Sequence, residues 1–496
     1  MKIDFRQTLK TLFSSLRWLS LAFVAIWLVV FSHGTAIAST AQHYTELEFP
    51  PLKEVTLPEY ERYQLDNGLV VYLMPDRELP LVSGTALIRT GARWEPSEKV
   101  GLAELTGTVM RAGGTEEHPS DVLNELLEQR AAVVETSIGR NSGSAGFSAL
   151  SEDTEWVFNL FAEVLQAPAF PQDKLDLAKT QFSGAIARRN DDPDDITRRE
   201  FRKLLYGDTS PYARTVEYDT LSNISRQDLI NFHQTYFRPD NMVLGIVGDF
   251  QPEQMKKLIA ETFGDWTRDR ERSLPAIPQA TQSKPNGIFF VEQTQLTQSY
   301  IQMGHIGGLF DSPDYPALSV LNGVLNGFGG RLFNEVRSRQ GLAYVAYGFW
   351  SPQYDYPGIF IAGGQTRSEA TVPFIQAVLS ELERIRTAPI TPEELAYAKE
   401  SILNSFVFNF QDSEQVLSRL MRYEYYNYPS DFIFRYQRAI KAVTAEEVQR
   451  VADKYLKPDQ ILTLVVGNPS AIQPPLSTLD STIKTVDISI PTPQRS

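Results

Sequence analysis

Cysteine is absent from this 496-residue chain, which excludes a disulfide framework, a lipid-modified N-terminal cysteine and a thiol nucleophile. Histidine is scarce. The five are His33, His43, His118, His233 and His305, and no two stand at i, i+4 spacing, so one helix face cannot offer two imidazoles to a metal. No G-x-S-x-G segment occurs, leaving serine hydrolysis without its nucleophile turn. Positive charge is in deficit, 47 Lys and Arg against 61 Asp and Glu, and a net charge of −14 excludes a nucleic-acid binder that must neutralise phosphates.

What is present describes a globular chain of more than one domain. Hydrophobic residues make up 42% and charged residues 22%, enough for sizeable cores, and the length exceeds the roughly 100 to 200 residues of one domain. Residues 1–38 read as an export signal. Lys2, Arg6, Lys10 and Arg17 precede the apolar run from Trp18 to Phe31, and Ala36-Ile37-Ala38 offers a cleavage site. The run is short for a membrane span of about 20 residues; the alternative is an uncleaved N-terminal anchor. Cleavage would remove four basic residues and one acidic residue, taking the net charge to −17.

An internal repeat organises the rest. Tyr236-Phe237-Arg238-Pro239-Asp240-Asn241 and the apolar run to Gly248 return 219 residues later as Tyr455-Leu456-Lys457-Pro458-Asp459-Gln460 and the run to Gly467. The capping boxes Ser225 to Asp228 and Thr444 to Glu447 keep that offset. Ala167-Pro168 pairs with Ala388-Pro389, and Leu175 to Lys179 with Leu395 to Lys399, in the same order. Two copies of one α+β unit are therefore expected, over 45–265 and 288–470, each closing with a helix, a Pro turn and a strand. A charged, then Pro- and Gln-rich linker spans 266–287, and a Pro/Ser/Thr-rich tail, read as flexible, spans 471–496. In the first copy, Tyr63 to Met74 predicts a hairpin turning at Asn67-Gly68, and Val82 to Arg89 predicts a strand.

The segment Val100 to Thr115 carries Leu102, Leu105, Val109 and Ala112 at helical spacing, and so predicts a helix with one face on a core. Together with the L-x-N-G-L hairpin and the Gly91-Ala92-Arg93-Trp94-Glu95 loop, it resembles the M16 family of insulinase, mitochondrial processing peptidase and pitrilysin-like proteins. Active members read roughly G-L-A-H-F-L-E-H-M-x-x-x-G-T here. Gly101, Leu102 and Ala103 and, displaced by one residue, Met110, Gly114 and Thr115 fit that frame. The two zinc-binding His and the water-polarising Glu are replaced by Glu104, Thr108 and Gly107. The family's third ligand, a Glu on a later helix, aligns with Gly184, in a window from Thr180 to Ala187 that holds no acid. Glu104 and Glu135 fall where the family cavity would be, and are read as solvated or hydrogen-bonded acids. The resemblance covers about residues 45–470 and implies two tandem M16-type (LuxS/MPP-like) domains, each a mainly antiparallel sheet packed with helices.

A second run, Asn326 to Tyr344, places Leu332, Phe333 and Val336 on one helical face and Gly341 where the helix would end before a strand from Leu342 to Tyr347. Arg337 and Tyr344 read, on their own, as a helix-end cation and a packed strand residue. The run is similar to the family's R-L-F-x-x-x-R-x-x-x-G-L-x-Y segment, whose later Arg and Tyr contact the substrate carbonyl and the oxyanion that forms from it. The resemblance assigns those roles to Arg337 and Tyr344. Gly327, Gly329 and Gly330 lack the Lys-Ser/Thr of a phosphate loop, and in the family such a loop supports the substrate segment. With one site blank and the other filled, the resemblance implies a non-catalytic subunit. It would hold no metal or cofactor itself, bind extended peptide, and pair with a zinc-bearing H-x-x-E-H subunit in an exported heterodimeric metallopeptidase. The alternative is a structural or peptide-binding scaffold with no part in hydrolysis.

Overall fold

Asn67-Gly68 turns the chain as its dipeptide requires. In the computed structural model, which describes residues 55–267 and 274–493, Gly68 takes a φ of 97° and β1 (Glu61–Gln64) pairs antiparallel with β2 (Val70–Pro75). β3 (Leu81–Ile88), β4 (Val133–Ile138), β5 (Gly143–Leu150) and β6 (Met242–Gly248) complete a sheet of order β1-β2-β6-β3-β5-β4. The second half repeats it. β7 (Gly287–Glu292), β8 (Gln298–Ile306), β9 (Ala343–Ser351), β10 (Ile359–Arg367), β11 (Leu462–Gly467) and β12 (Ile483–Thr485) form a sheet of order β12-β7-β11-β8-β10-β9.

Both sheets are mixed. β2 runs parallel to β6, and β7 to β11, while β3, β4 and β5, like β8, β9 and β10, are antiparallel to their neighbours. Five strands of each half agree in order and direction, while the sixth place is taken by β1, antiparallel to β2, in the first sheet and by β12, parallel to β7, in the second. Details outside the sheets agree as well. Pro239 and Pro458 each open a short 3₁₀ turn before β6 and β11. Ser225 and Thr444 both make reciprocal capping boxes. Lys179 donates to the Ile224 carbonyl, and Lys399 to the Val443 carbonyl at 2.9 Å, each just ahead of the capped helix.

The period-2 alternation of the strands gives every sheet two apolar faces. One face of the first sheet, including Leu69, Val71 and Leu73 with Val82, Ile88, Leu244 and Ile246, packs on its own helices Leu102–Ala112, Thr154–Gln166 and Pro252–Phe263. The other face, Val70, Tyr72, Met74, Val243 and Val247, is covered by Val416, Leu417, Leu420 and Met421 from helix Ser413–Tyr426 of the second half. The exchange is reciprocal. Helix Pro193–Tyr206 of the first half lays Ile196, Phe201 and Leu205 on Phe289, Val291, Leu462, Leu464 and Val466 of the second sheet. Each helix is capped by an Asp, Asp192 and Asp412. Polar contacts lock the seam. Glu424 accepts both guanidinium donors of Arg62 at 2.7 and 3.0 Å and the Tyr72 hydroxyl at 2.8 Å, and Arg93 meets Asp355 at 2.7 Å.

Two expectations change. The tail is not free over its described part: Ile472 and Leu476 are buried, and β12 adds to the open side of β7, because that strand's outer backbone groups need partners. The connection from residue 274 onward is held too. Trp94 Nε1 donates to the Ala276 carbonyl at 3.1 Å, and Gln282 donates to the Gln460 carbonyl at 2.8 Å. The export signal expected over 1–38 lies outside the described residues.

Candidate functional site

The helix Leu102–Ala112 begins without a side-chain cap of its own. Gly101, at a φ of 104°, sits where a Cβ would press on Val216, and the exposed backbone N–H groups are taken by an acid from the preceding loop. Glu95 accepts from Gly101 N at 3.1 Å and Ala103 N at 3.0 Å. Burial pushes the Glu95 carboxyl up to about 7, against the pull of those two N–H donors and of Arg214. Arg214 in turn donates to the carbonyls of Ala92 and Glu95 at 3.1 and 3.0 Å. These residues form one end of a cleft of about 450 Å³, walled also by Glu104, Thr108, Ser137, Ile138, Gly139 and Arg140.

The four positions vacated by zinc ligands and base do not meet as one site. Glu104 and Thr108 line the cleft, and desolvation by its walls raises the Glu104 carboxyl above the usual range. Gly107 lies beneath, buried against β4. Its carbonyl accepts from Thr136 Oγ1 at 2.6 Å, and a Cβ there would stand 2.6 Å from Ile138 N and 3.0 Å from Ser137 C. Gly184, expected opposite them, is on helix Gln172–Ala187 with only the Arg188 side chain near its Cβ direction, and is not in the cleft wall. Glu135 is likewise on exposed β4 surface outside the lining. Zinc does not fit this donor set. One free carboxylate remains, Glu95 is committed to backbone N–H groups, and the position of the base has no room for a side chain. Among the described residues, Glu117, His118 and Glu163 do cluster, but as a clasp in which His118 Nδ1 and Thr115 Oγ1 both meet Glu163 Oε2, at 2.7 and 3.0 Å.

In the second half the expected pair does come together. Residues Phe333–Arg339 form a π-helical turn, closed by Gly341 at a φ of 62°, whose N–H returns to the Arg337 carbonyl at 3.1 Å. The wide turn and the sharp stop carry Tyr344, at the start of edge strand β9, back over Arg337. The guanidinium lies 4.6 Å from the Tyr344 ring centre and 4.8 Å from that of Phe333. Tyr344 is 77% exposed, and no described residue accepts from its hydroxyl or from the Arg337 guanidinium, so both sets of donors are left to solvent. Neither residue belongs to the wall of the Glu104 cleft. The glycine loop before them is anchored at its root by Asn326, which donates to and accepts from Gly348 at 2.7 and 3.0 Å. It presents Phe328 at 80% exposure, with Gly329 N bonded to the Tyr397 hydroxyl. Sequence reasoning passed over Glu95, Arg214 and Arg140; the only signal was the Gly91-to-Glu95 loop.

Comparisons with known proteins agree with this architecture. The family model described as insulinase (peptidase family M16) matches residues 80–215, and the model described as peptidase M16 inactive domain matches 223–402. The boundary between these two models precedes β6, which is hydrogen-bonded into the first sheet. An uncharacterized zinc protease, YmxG, of Bacillus subtilis is 23% identical over 84% of this chain and 99% of its own. Two further relatives are from Helicobacter pylori. The zinc protease PqqE is 23% identical over 82% of this chain and 93% of its own, and the non-peptidase homolog YmxG is 22% identical over 77% and 87%. A solved peptidase M16 inactive domain from Pseudomonas fluorescens superposes with a TM-score of 0.74 at 25% identity, over 84% of this chain and all of that one. Two mixed sheets that share the order of five strands and the matches across both halves together place this chain in the M16 peptidase family, with an inactive-type domain.

Proposed function

We propose that the protein is the non-catalytic subunit of an exported heterodimeric M16 zinc metallopeptidase. It binds extended peptide and supplies Arg337 and Tyr344 to the active site of a zinc-bearing partner. The observation that carries this reading is the stacked Arg337–Tyr344 pair, whose donors meet no acceptor among the described residues, in a protein whose own zinc position keeps a single free carboxylate. A fixed guanidinium and a phenol beside it suit a carbonyl oxygen that gains charge as a peptide bond is attacked. The two relatives of Helicobacter pylori, one named a zinc protease and one a non-peptidase homolog, support a division of labour between two such chains. Export follows from the 1–38 segment, with retention by an uncleaved segment as the variant. Among the described residues no helix is long and apolar enough to cross a membrane.

The test is co-purification with an M16 subunit carrying H-x-x-E-H from the same organism, followed by cleavage of an unfolded peptide. The mixture is expected to cleave, and this chain alone to cleave nothing and hold no stoichiometric zinc. Full activity of the zinc-bearing subunit by itself, or failure of the two to associate, would refute the proposal.

A further inference from the structure

The cleft left by the lost zinc site retains a cation with nothing among the described residues to neutralise it. Arg140 sits in the turn between β4 and β5, and that turn is held from three sides. Ala92 N donates to the Gly139 carbonyl at 3.0 Å, Arg93 N to the Arg140 carbonyl at 3.2 Å, and the Tyr425 hydroxyl to the Asn141 carbonyl at 2.8 Å. Arg140 is one of the residues that line the cleft, and no described residue accepts a hydrogen bond from its side chain or forms an ion pair with it. Two of its neighbours are better supplied. Arg93 in the adjoining loop has Asp355, and Arg214 across the cleft has two carbonyls, although its buried Nε has no acceptor.

A partly buried guanidinium without a partner is costly, and the chain has no shortage of acids with which to satisfy it, at 61 against 47 bases. Arg202, on the helix that crosses to the second half, adds a like charge instead. Burial and that neighbour hold the Arg140 guanidinium below the usual arginine range. The acids that share the cleft do not offset it. Glu95 is turned onto the helix N-terminus, and Glu104 forms no ion pair with Arg140.

Resting on the peptide-binding reading above, we propose that the vacated cleft seats a carboxylate of the bound peptide on the Arg140 guanidinium. A guanidinium presents parallel N–H donors that match the two oxygens of a carboxylate, and the pinned turn fixes their direction before the ligand arrives. The carboxylate comes from a chain terminus or from an Asp or Glu side chain, and the experiment separates the two.

Fluorescence anisotropy with the full-length chain would compare three labelled peptides of one unstructured sequence: a free C-terminus, a C-terminal amide, and the amide with one internal Glu. The free acid is expected to bind about tenfold to a hundredfold more tightly than the amide, the span expected for a charge-assisted hydrogen bond. Arg140→Gln should erase the difference. Recovery of tight binding by the Glu-bearing amide assigns the seat to side-chain carboxylates; failure to recover assigns it to termini. Because Arg140 has no described protein partner to lose, Arg140→Gln should melt at or above the wild-type temperature. Equal binding of acid and both amides by the wild type, or discrimination that survives Arg140→Gln, would overturn the seat while leaving peptide binding intact. A lower melting temperature for the variant would also count against it, since it would show that the charge was already satisfied. No binding of any peptide would overturn both this inference and the reading beneath it.

Discussion

Replacing Gly107 by Ala asks whether the zinc position has merely lost its side chains or has been closed. A glycine in the interior of a helix ordinarily gains about 0.8–1 kcal/mol on becoming alanine. At Gly107 the new methyl would stand 2.6 Å from Ile138 N and 3.0 Å from Ser137 C, both backbone atoms of β4, which is paired with β5. Ordinary contact begins at 3.4 Å, so helix and sheet edge must part by most of an ångström. Overpacking of this kind costs roughly 1–3 kcal/mol, and the net expectation is a loss of about 0–2 kcal/mol. Gly184→Ala is the internal control, because its Cβ direction meets only the far end of the Arg188 side chain at 3.6 Å, and it should gain about 0.8–1 kcal/mol. Urea denaturation of the three proteins measures both signs. If Gly107→Ala is stabilised like Gly184→Ala, the helix is not pressed on β4 and the site is not closed. With the site closed, Glu104→His, Gly107→Glu and Thr108→His combined should restore no stoichiometric zinc, which metal analysis would check.

Glu95 should leave a pH signature. Its folded-state value of about 7 lies above the ordinary 4.5, so the folded protein keeps the proton longer than the unfolded chain. The associated stability is complete below the unfolded value, falls by about 3 kcal/mol as pH rises through that window, and is constant above it. Glu95→Gln should flatten that slope in urea titrations across the window; an unchanged slope would mean that the carboxyl is not desolvated. Leu420→Ala, at 3% exposure under the first sheet, should cost about 2–5 kcal/mol, and should lower the stability of both halves in one calorimetric transition. Two separate transitions would show that the exchanged helices do not couple the halves. Trypsin should cut first among Arg268, Arg270 and Arg272 in the charged connection, and the nicked halves should still elute together in gel filtration because each covers a sheet of the other.

Local signals in the sequence located local structure well. Asn67-Gly68 has one good backbone solution, and the Ser225 and Thr444 boxes satisfy their own N–H groups, so each could be read without a tertiary partner. The repeat then gave the second sheet from the first. The exchange of helices Pro193–Tyr206 and Ser413–Tyr426 was not readable, since an apolar helix face does not say which sheet it covers. The tail misled for a similar reason. Its Pro/Ser/Thr composition suggested loose chain, but the free side of β7 supplies partners that composition cannot show. At the site, substitution of Glu104, Gly107 and Thr108 was visible directly, whereas the closeness of β4 behind Gly107 and the missing partner of Arg140 exist only in three dimensions. Gly184 was placed by alignment to a window with no chemical residue to fix its register, and it fell outside the cleft.

Whether this chain lends its Arg337–Tyr344 pair to a partner's zinc site can be read from steady-state turnover of the assembled heterodimer with Arg337→Ala and with Tyr344→Phe. Each change removes a donor to the developing oxyanion, so kcat should fall about 10²- to 10³-fold with assembly intact and little change in KM. Glu104→Gln, at the vacated zinc position, should change turnover little. Wild-type kcat in both variants, in complexes shown to be fully assembled, would contradict the shared active site and leave the chain a scaffold.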